Sequence, residues 1–166
     1  RTPASQYARQ LLAEGRIGTP IWFRGEMTED FFADPSIGGW RAQGQANGCM
    51  GDLSPHMINA AHALMGPIDS LSASVQTVHK TRDGQAVTND DQAQVMCRFA
   101  SGVQGHMFFS RVALGRKMGY AYEIHGTHGH IRFDQEDQNA IHLYLAEGPE
   151  AERGFRKILT GPEHPD

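Results

Sequence analysis

A succession of short strand patterns in the second half of the chain restricts its fold more than any other feature. Apolar and polar residues alternate repeatedly between residues 68 and 145, and Gly-containing turns separate the alternating segments. Neighbouring strands joined by tight turns pair antiparallel, because a parallel pair needs a crossover of a dozen or more residues. Strands are predicted over residues 68–79, 93–99, 103–112, 120–124, 131–133 and 141–145.

Two helical patterns and one strand precede this succession. The apolar spacing predicts helices over residues 5–16 and 48–65, with Gly66-Pro67 ending the second, and an alternating segment at 20–27 predicts a strand. Residues 28–47 are predicted as a long loop, and residues 148–160 as a short helix. This order indicates a single α+β domain over residues 1–166, an open, mostly antiparallel β-sheet with helices on one face.

Composition excludes several classes of function. The net charge of the 166-residue chain is −4 and its basic clusters are short, which argues against a nucleic-acid partner. No apolar run is long enough to span a bilayer, so we expect no membrane association. Cys49 and Cys97 form no C-x-x-C pair, and no signal peptide is visible, so we expect a reduced, cytoplasmic protein.

The second helical pattern carries the residues that are best suited to catalysis. At 100° per residue, Asp52, His56 and Asn59 share a narrow polar stripe, while Leu53 and Met57 lie on an apolar face. An imidazole beside a carboxylate suits proton transfer near neutral pH. The simpler alternatives also stand: Asp52 as a helix N-cap followed by Pro55, and His56 as an ordinary, partly buried histidine.

Metal binding is a competing interpretation of the histidines. Asp52 and His56 offer two ligands on one helix, with His62 off the same face, and three more histidines surround a predicted hairpin turn at 125–130. We expect no metal, and we interpret the hairpin histidines as solvated turn residues. The sequence also lacks the glycine-rich nucleotide-binding motifs and the G-x-S-x-G nucleophile motif.

Three segments together resemble the glucose–fructose oxidoreductase/inositol dehydrogenase (Gfo/Idh/MocA) family. Residues 51–56, Gly-Asp-Leu-Ser-Pro-His, follow Trp40-Arg41 and Asn47-Gly48 and precede Leu64-Met65-Gly66-Pro67-Ile68. Residues 11–20 resemble the first helix and turn after that family's nucleotide-binding domain, and residues 123–131 resemble its late hairpin. The motifs occur in the family's order and span most of the chain.

The resemblance implies both a fold and a divided active site. It implies that this chain is the C-terminal, substrate-binding and oligomerisation domain of a dehydrogenase that acts on CH–OH groups of sugars, polyols or related compounds. NAD or NADP, and a catalytic lysine in a Glu-Lys-Pro motif, would belong to an N-terminal domain that these residues lack, so the chain alone should be inactive. The carried-over positions are His56 and Asp52 as catalytic residues, and Trp40, Arg41 and Asn59 as substrate-binding residues.

Asn59 stands where the family often has a second aspartate, and an amide cannot act as a base. The resemblance also implies a homodimer or tetramer that forms through the open face of the sheet. Two other functions stay open: a non-catalytic oligomerisation and ligand-recognition module, and a metal-dependent lyase or hydrolase.

Overall fold

The computed structural model describes residues 2–165 and confirms the predicted α+β architecture. A single eight-stranded sheet forms the centre of the fold, and a separate two-residue hairpin, β3 (Thr81–Arg82) and β4 (Gln85–Ala86), lies outside it. In spatial order the eight strands are β10 (Arg156–Leu159), β9 (Ala140–Leu145), β8 (Gly129–Asp134), β7 (Gly119–Gly126), β1 (Pro20–Thr28), β6 (Gln104–Ser110), β5 (Gln92–Phe99) and β2 (Ile68–Gln76).

The first strand lies in the middle of the sheet, and two antiparallel series flank it. β2, β5 and β6 form one series, and β7 to β10 form the other. β1 pairs antiparallel with β7 but parallel with β6, and this is the one parallel pair among the described strands. After β1 the chain crosses through the helices to β2 at the edge of the sheet. Two successive antiparallel pairings, β2 with β5 and β5 with β6, then bring β6 beside β1 in the same direction.

Three helices cover one face of the sheet: α1 (Pro3–Ala13), α2 (Cys49–Asp52) and α3 (Ser54–Met65). Buried side chains from both layers, such as Leu11, Met57 and Ile124, form one continuous core. Gly25 of β1 makes the close approach of α3 possible, because a Cβ at Gly25 would lie 2.6 Å from the sulfur of Met57. Among residues 2–165, no helix is long and apolar enough to cross a bilayer.

The predicted continuous helix over 48–65 is wrong in one respect, because it divides at Leu53 into α2 and α3. Pro55 has no amide hydrogen to donate to the carbonyl one turn earlier, and its ring crowds that turn. At the same junction, the hydroxyl of Ser54 donates to the carbonyl of Met50 at 2.5 Å. Asp52 is therefore the last residue of α2, and it does not cap α3.

The predicted helix over 148–160 is also wrong. Glu150–Glu152 form a single 3-10 turn, and Arg156–Leu159 form β10, which pairs with β9 at the edge of the sheet. The free edge of β9 offers unpaired backbone groups, and pairing with them outweighs the weak local helix preference of this segment.

The long loop between β1 and α2 is fixed by a buried carboxylate. Asp91, immediately before β5, is fully buried between the guanidinium groups of Arg82 and Arg111, at 3.2 and 3.0 Å from one carboxylate oxygen. Its other oxygen accepts the backbone amides of Val78 and His79 at 2.8 and 3.0 Å. Burial opposes the charge of Asp91, but the His79 amide and the two arginines hold its pKa below the ordinary value.

The two arginines extend from Asp91 to the loop backbone. Arg82 donates to the carbonyls of Phe32 and Asp34 at 2.6 and 2.9 Å, and Arg111 donates to those of Arg41 and Asn47 at 2.8 and 2.9 Å. Both guanidinium groups also lie over the ring of Phe32, at 3.8 and 4.4 Å from its centroid. We call Asp91, Arg82 and Arg111 the buried ion cluster.

Replacing Asp91→Asn should destabilise the domain by about 3–5 kcal/mol, because two buried arginines lose their counter-charge. Urea denaturation measures the free energy of unfolding. The matched control is Asp69→Asn, which breaks an Asp–Arg pair in which both side chains are more than half exposed; it should cost less than about 1 kcal/mol. Equal costs for the two variants would show that the buried ion cluster does not hold the loop.

Candidate functional site

An open groove of about 1020 Å³ lies where the α2–α3 junction meets the ends of β1, β7 and β8. Its polar lining residues are Thr2, Ser5, Glu29, Arg41, Asp52, His56, Asn59 and Gln135. Its other lining residues, mostly apolar, are Met27, Phe31, Leu53, Pro55, Met118, Tyr120 and Phe133. A groove with a few polar groups against an apolar surface is the usual form of a small-molecule site.

Four of the five predicted site residues line this groove. Asp52 ends α2, His56 lies in the first turn of α3, and Asn59 follows less than a turn later. Arg41 joins them from the loop. Trp40 is not among the lining residues: it is 62% exposed and packs against the guanidinium of Arg41, 4.4 Å from its ring centroid.

The start of α2 is held by the turn before β5. A carboxylate oxygen of Asp90 accepts the amide of Met50 at 2.7 Å, and the Asp90 carbonyl accepts the amide of Cys49 at 2.9 Å. Gly51 lets the helix pass close to the preceding 3-10 turn, because a Cβ there would collide with the carbonyl of Ala46. These contacts fix the position from which Asp52 reaches the groove.

The buried ion cluster places Arg41 at the groove. The Arg41 carbonyl accepts hydrogen bonds from Arg111 and from the side-chain amide of Asn89, at 2.8 and 2.9 Å. Its side chain is free to project outward, where it stacks over Trp40 and lies 5.5 Å from the ring centroid of Phe31. A cationic side chain thus lies at the rim of the groove, on a backbone position held by two hydrogen bonds.

Glu29 is a groove residue that sequence reasoning missed. It directly follows β1, and the Ser110 and Ala113 backbone groups hold it through hydrogen bonds of 2.8 and 2.9 Å. Burial and the nearby negative charge of Asp52 raise the pKa of the Glu29 carboxyl above its ordinary value, although His56 partly offsets this. The groove therefore brings two carboxyl groups and an imidazole within electrostatic range of one another.

Comparisons with known proteins identify the family of this domain. Residues 5–132 match the GFO/IDH/MocA C-terminal domain. The chain belongs to that family. Levoglucosan dehydrogenase of Pseudarthrobacter phenanthrenivorans is 34% identical over 99% of the chain and 48% of its own length. D-apiose dehydrogenase of Paraburkholderia graminis is 27% identical over 84% of the chain and 36% of its own length.

The structural comparison leads to the same family. Levoglucosan dehydrogenase in complex with NADH and levoglucosan superposes with a TM-score of 0.93 and 36% identity, covering 98% of this chain and 45% of that one. The chain spans less than half the length of the curated relatives it matches. It corresponds to the C-terminal domain of these GFO/IDH/MocA proteins.

Removing the Glu29 carboxyl should change stability in a pH-dependent way. Because the folded-state pKa is raised, ionising Glu29 disfavours the folded state progressively as pH rises above the unfolded value of 4.5. Glu29→Gln should therefore resemble the parent at about pH 4 and be relatively more stable at about pH 7 in urea denaturation. Glu147→Gln, which removes an exposed carboxylate, is the control for the loss of a charge. If the difference in unfolding free energy between Glu29→Gln and the parent stays constant with pH, or changes in the opposite direction, the pKa of Glu29 is not raised.

Proposed function

We propose that this chain is the substrate-binding domain of an NAD(P)-dependent oxidoreductase that acts on CH–OH groups of sugars, polyols or related hydroxylated compounds. The single observation that carries the proposal is the meeting of Asp52 and His56 in the groove of a GFO/IDH/MocA C-terminal domain. The relatives named for levoglucosan and D-apiose oxidation support a carbohydrate substrate.

His56 is the proposed general acid/base. Its side chain is exposed to the groove, so it can reach the hydroxyl of a bound substrate and accept that proton as the alcohol becomes a carbonyl. Asp52, one turn earlier along the chain, orients the imidazole or accepts a hydrogen bond from the neighbouring substrate hydroxyl. A lysine from the N-terminal domain, as the family resemblance implies, would act beside them.

The remaining polar groups suit recognition of a polyhydroxylated ring. Arg41 and Asn59 can donate hydrogen bonds, and Glu29 can accept them. Adjacent substrate hydroxyls can therefore be bound both as acceptors and as donors. Trp40 would contribute only from outside the groove, by holding the Arg41 side chain. Apolar residues such as Phe31 and Tyr120 offer surfaces against which the C–H face of a sugar can pack.

The groove also suits a nicotinamide better than it suits a whole dinucleotide. Its apolar lining can accept the flat face of the ring, but the sequence contains no glycine-rich phosphate loop. When bound, the nicotinamide would exchange a hydride with the substrate carbon. On this proposal, an N-terminal domain would hold the rest of NAD or NADP.

A second role, assembly, is favoured by the sheet face opposite the helices, which we call the open face. Met96 is 65% exposed on this face and is paired in register with His106 of β6. Trp22 of β1 lines the same shallow surface as Met96 and His106, and Phe108 lies two residues after His106 in β6. Apolar side chains on an uncovered sheet are typical of an interface. We infer that a second copy of the chain covers this face, in a homodimer or tetramer.

We also infer that the protein is cytoplasmic. Cys49 and Cys97 are free cysteines, and free thiols are expected in a reducing compartment.

His56→Ala should lower kcat by about 10²- to 10⁴-fold, the usual contribution of a general acid/base. The assay follows NAD(P)H formation by the complete gene product that carries this chain, with anhydrosugars, aldoses and polyols as substrates. His62→Ala is the matched control, because His62 is exposed on the same helix outside the groove. A His56→Ala enzyme that keeps kcat within about twofold from about pH 6 to 9 contradicts the assignment.

Met96→Lys should weaken self-association, because a charge on the open face would be desolvated on pairing. Size-exclusion chromatography with light scattering measures the mass of the chain on dilution. Leu114→Lys is the control, since Leu114 is 84% exposed in a loop between β6 and β7. If the parent chain is monomeric, or if both variants dissociate equally, the open face is not the interface.

A further inference from the structure

A group of metal-ligating side chains lies on the open face, apart from the groove. Glu123 and His125 of β7 and His130 of β8 project there, while Ile124 and Ile131 between them face the core. His125 and His130 are directly paired in register, and their rings stack with centroids 3.8 Å apart. We call Glu123, His125 and His130 the histidine cluster. The expectation of solvated turn histidines is wrong for these two.

The donor atoms of the three side chains lie close together. Nε2 of His125 and Nε2 of His130 lie 3.6 and 3.5 Å from the same carboxylate oxygen of Glu123, Oε2. Both Nε2 atoms are inaccessible to solvent and have no hydrogen-bond partner within residues 2–165. The separations exceed those of ordinary N–H···O hydrogen bonds. Two buried nitrogens are thus left unsatisfied, which normally costs stability.

An ion between these atoms would satisfy all three. Ligands at about 2.0–2.1 Å from a tetrahedral zinc ion lie roughly 3.3 Å from one another. The two distances to Glu123 Oε2 are close to this value, and the three donor atoms lie within 4.8 Å of one another. We propose that the histidine cluster binds a divalent transition-metal ion of the zinc class, with two imidazole nitrogens, one carboxylate oxygen and a water molecule as ligands.

The surroundings of the cluster orient its ligands. Glu123 Oε1 faces Arg24 and Arg132, each at 3.5 Å, which leaves Oε2 directed at the imidazoles. The ring of Trp22 packs edge-on against His125 at 4.9 Å, and that of Phe155 packs against His130 at 5.0 Å. Polar contacts to a ligating carboxylate, such as those of the two arginines, help to fix ligand geometry in metal sites.

Charged groups on both sides of the cluster bear on cation binding. The guanidinium groups of Arg24 and Arg132, each 3.5 Å from Glu123 Oε1, oppose a cation, whereas the carboxylate of Glu123 favours it. Metal binding would tie β7 to β8 without involving the groove, so it stands independently of the proposed oxidoreductase function.

Titration of the untagged chain with Zn²⁺ after treatment with a chelator tests the site. Calorimetry at micromolar protein should show one saturable equivalent, and Zn²⁺ should raise the melting temperature, because the ion binds the folded chain. Co²⁺ in place of Zn²⁺ should give the visible absorption of a four-coordinate ion. His130→Asn and His125→Gln should each weaken Zn²⁺ binding by at least about tenfold.

The matched control is His128→Asn. His128 lies in the same hairpin, but it is exposed and contacts the hydroxyl of Thr127 at 2.9 Å, outside the cluster. This variant should bind Zn²⁺ like the parent. Circular dichroism confirms that each variant is folded; if His130→Asn is not, His125→Gln and the parent Co²⁺ spectrum decide. The proposal is overturned if the parent shows no saturable site, or if His128→Asn weakens binding as much as the cluster variants do.

Discussion

The carboxylate of Asp91, enclosed by two arginines beneath the loop of residues 29–47, holds the functional half of the domain in place. A buried charge is tolerated only when its hydrogen-bonding capacity is filled, and Asp91 receives two guanidinium groups and two backbone amides. The arginines then use their remaining donors on loop carbonyls. A loop without strands or long helices is thereby hydrogen-bonded at several points to two buried side chains.

The candidate site depends on this arrangement. Arg111 bonds the backbone at Arg41 and at Asn47, so the same guanidinium holds the rim of the groove and the entry to α2. Asp90, the neighbour of Asp91, holds the first amides of that helix. The polar groups of the groove are therefore positioned before any substrate arrives, which reduces the ordering cost of binding.

Strands with strong alternation could be predicted from the sequence, because burial on one face imposes a period of two that few other structures share. The polar stripe of Asp52, His56 and Asn59 could be located for a similar reason, and these residues meet in the groove even though the helix divides at Leu53. Pro55 causes that division, but its presence alone does not predict it, because proline is also tolerated in the first turn of a helix.

Features that depend on distant partners could not be predicted. The segment around Ile158 is flanked by charged residues, and it becomes β10 only because β9 offers a free edge. Asp91, Arg82 and Arg111 are spread over 30 residues that include the strands β5 and β6, and no local pattern shows that they will be buried together. Glu29 likewise resembles any loop carboxylate until the fold places it beside Asp52. His125 and His130 are brought together by a strand register that the turn alone does not fix.

A crystal structure of the complete gene product with NAD(H) and a bound sugar or polyol would test the central claim most directly. The account predicts that the substrate occupies the groove, with the reacting hydroxyl within hydrogen-bond reach of His56 and an adjacent hydroxyl bonded to Asp52. A substrate bound elsewhere, or seated in the groove with His56 turned away from the carbon that faces the nicotinamide, would contradict it.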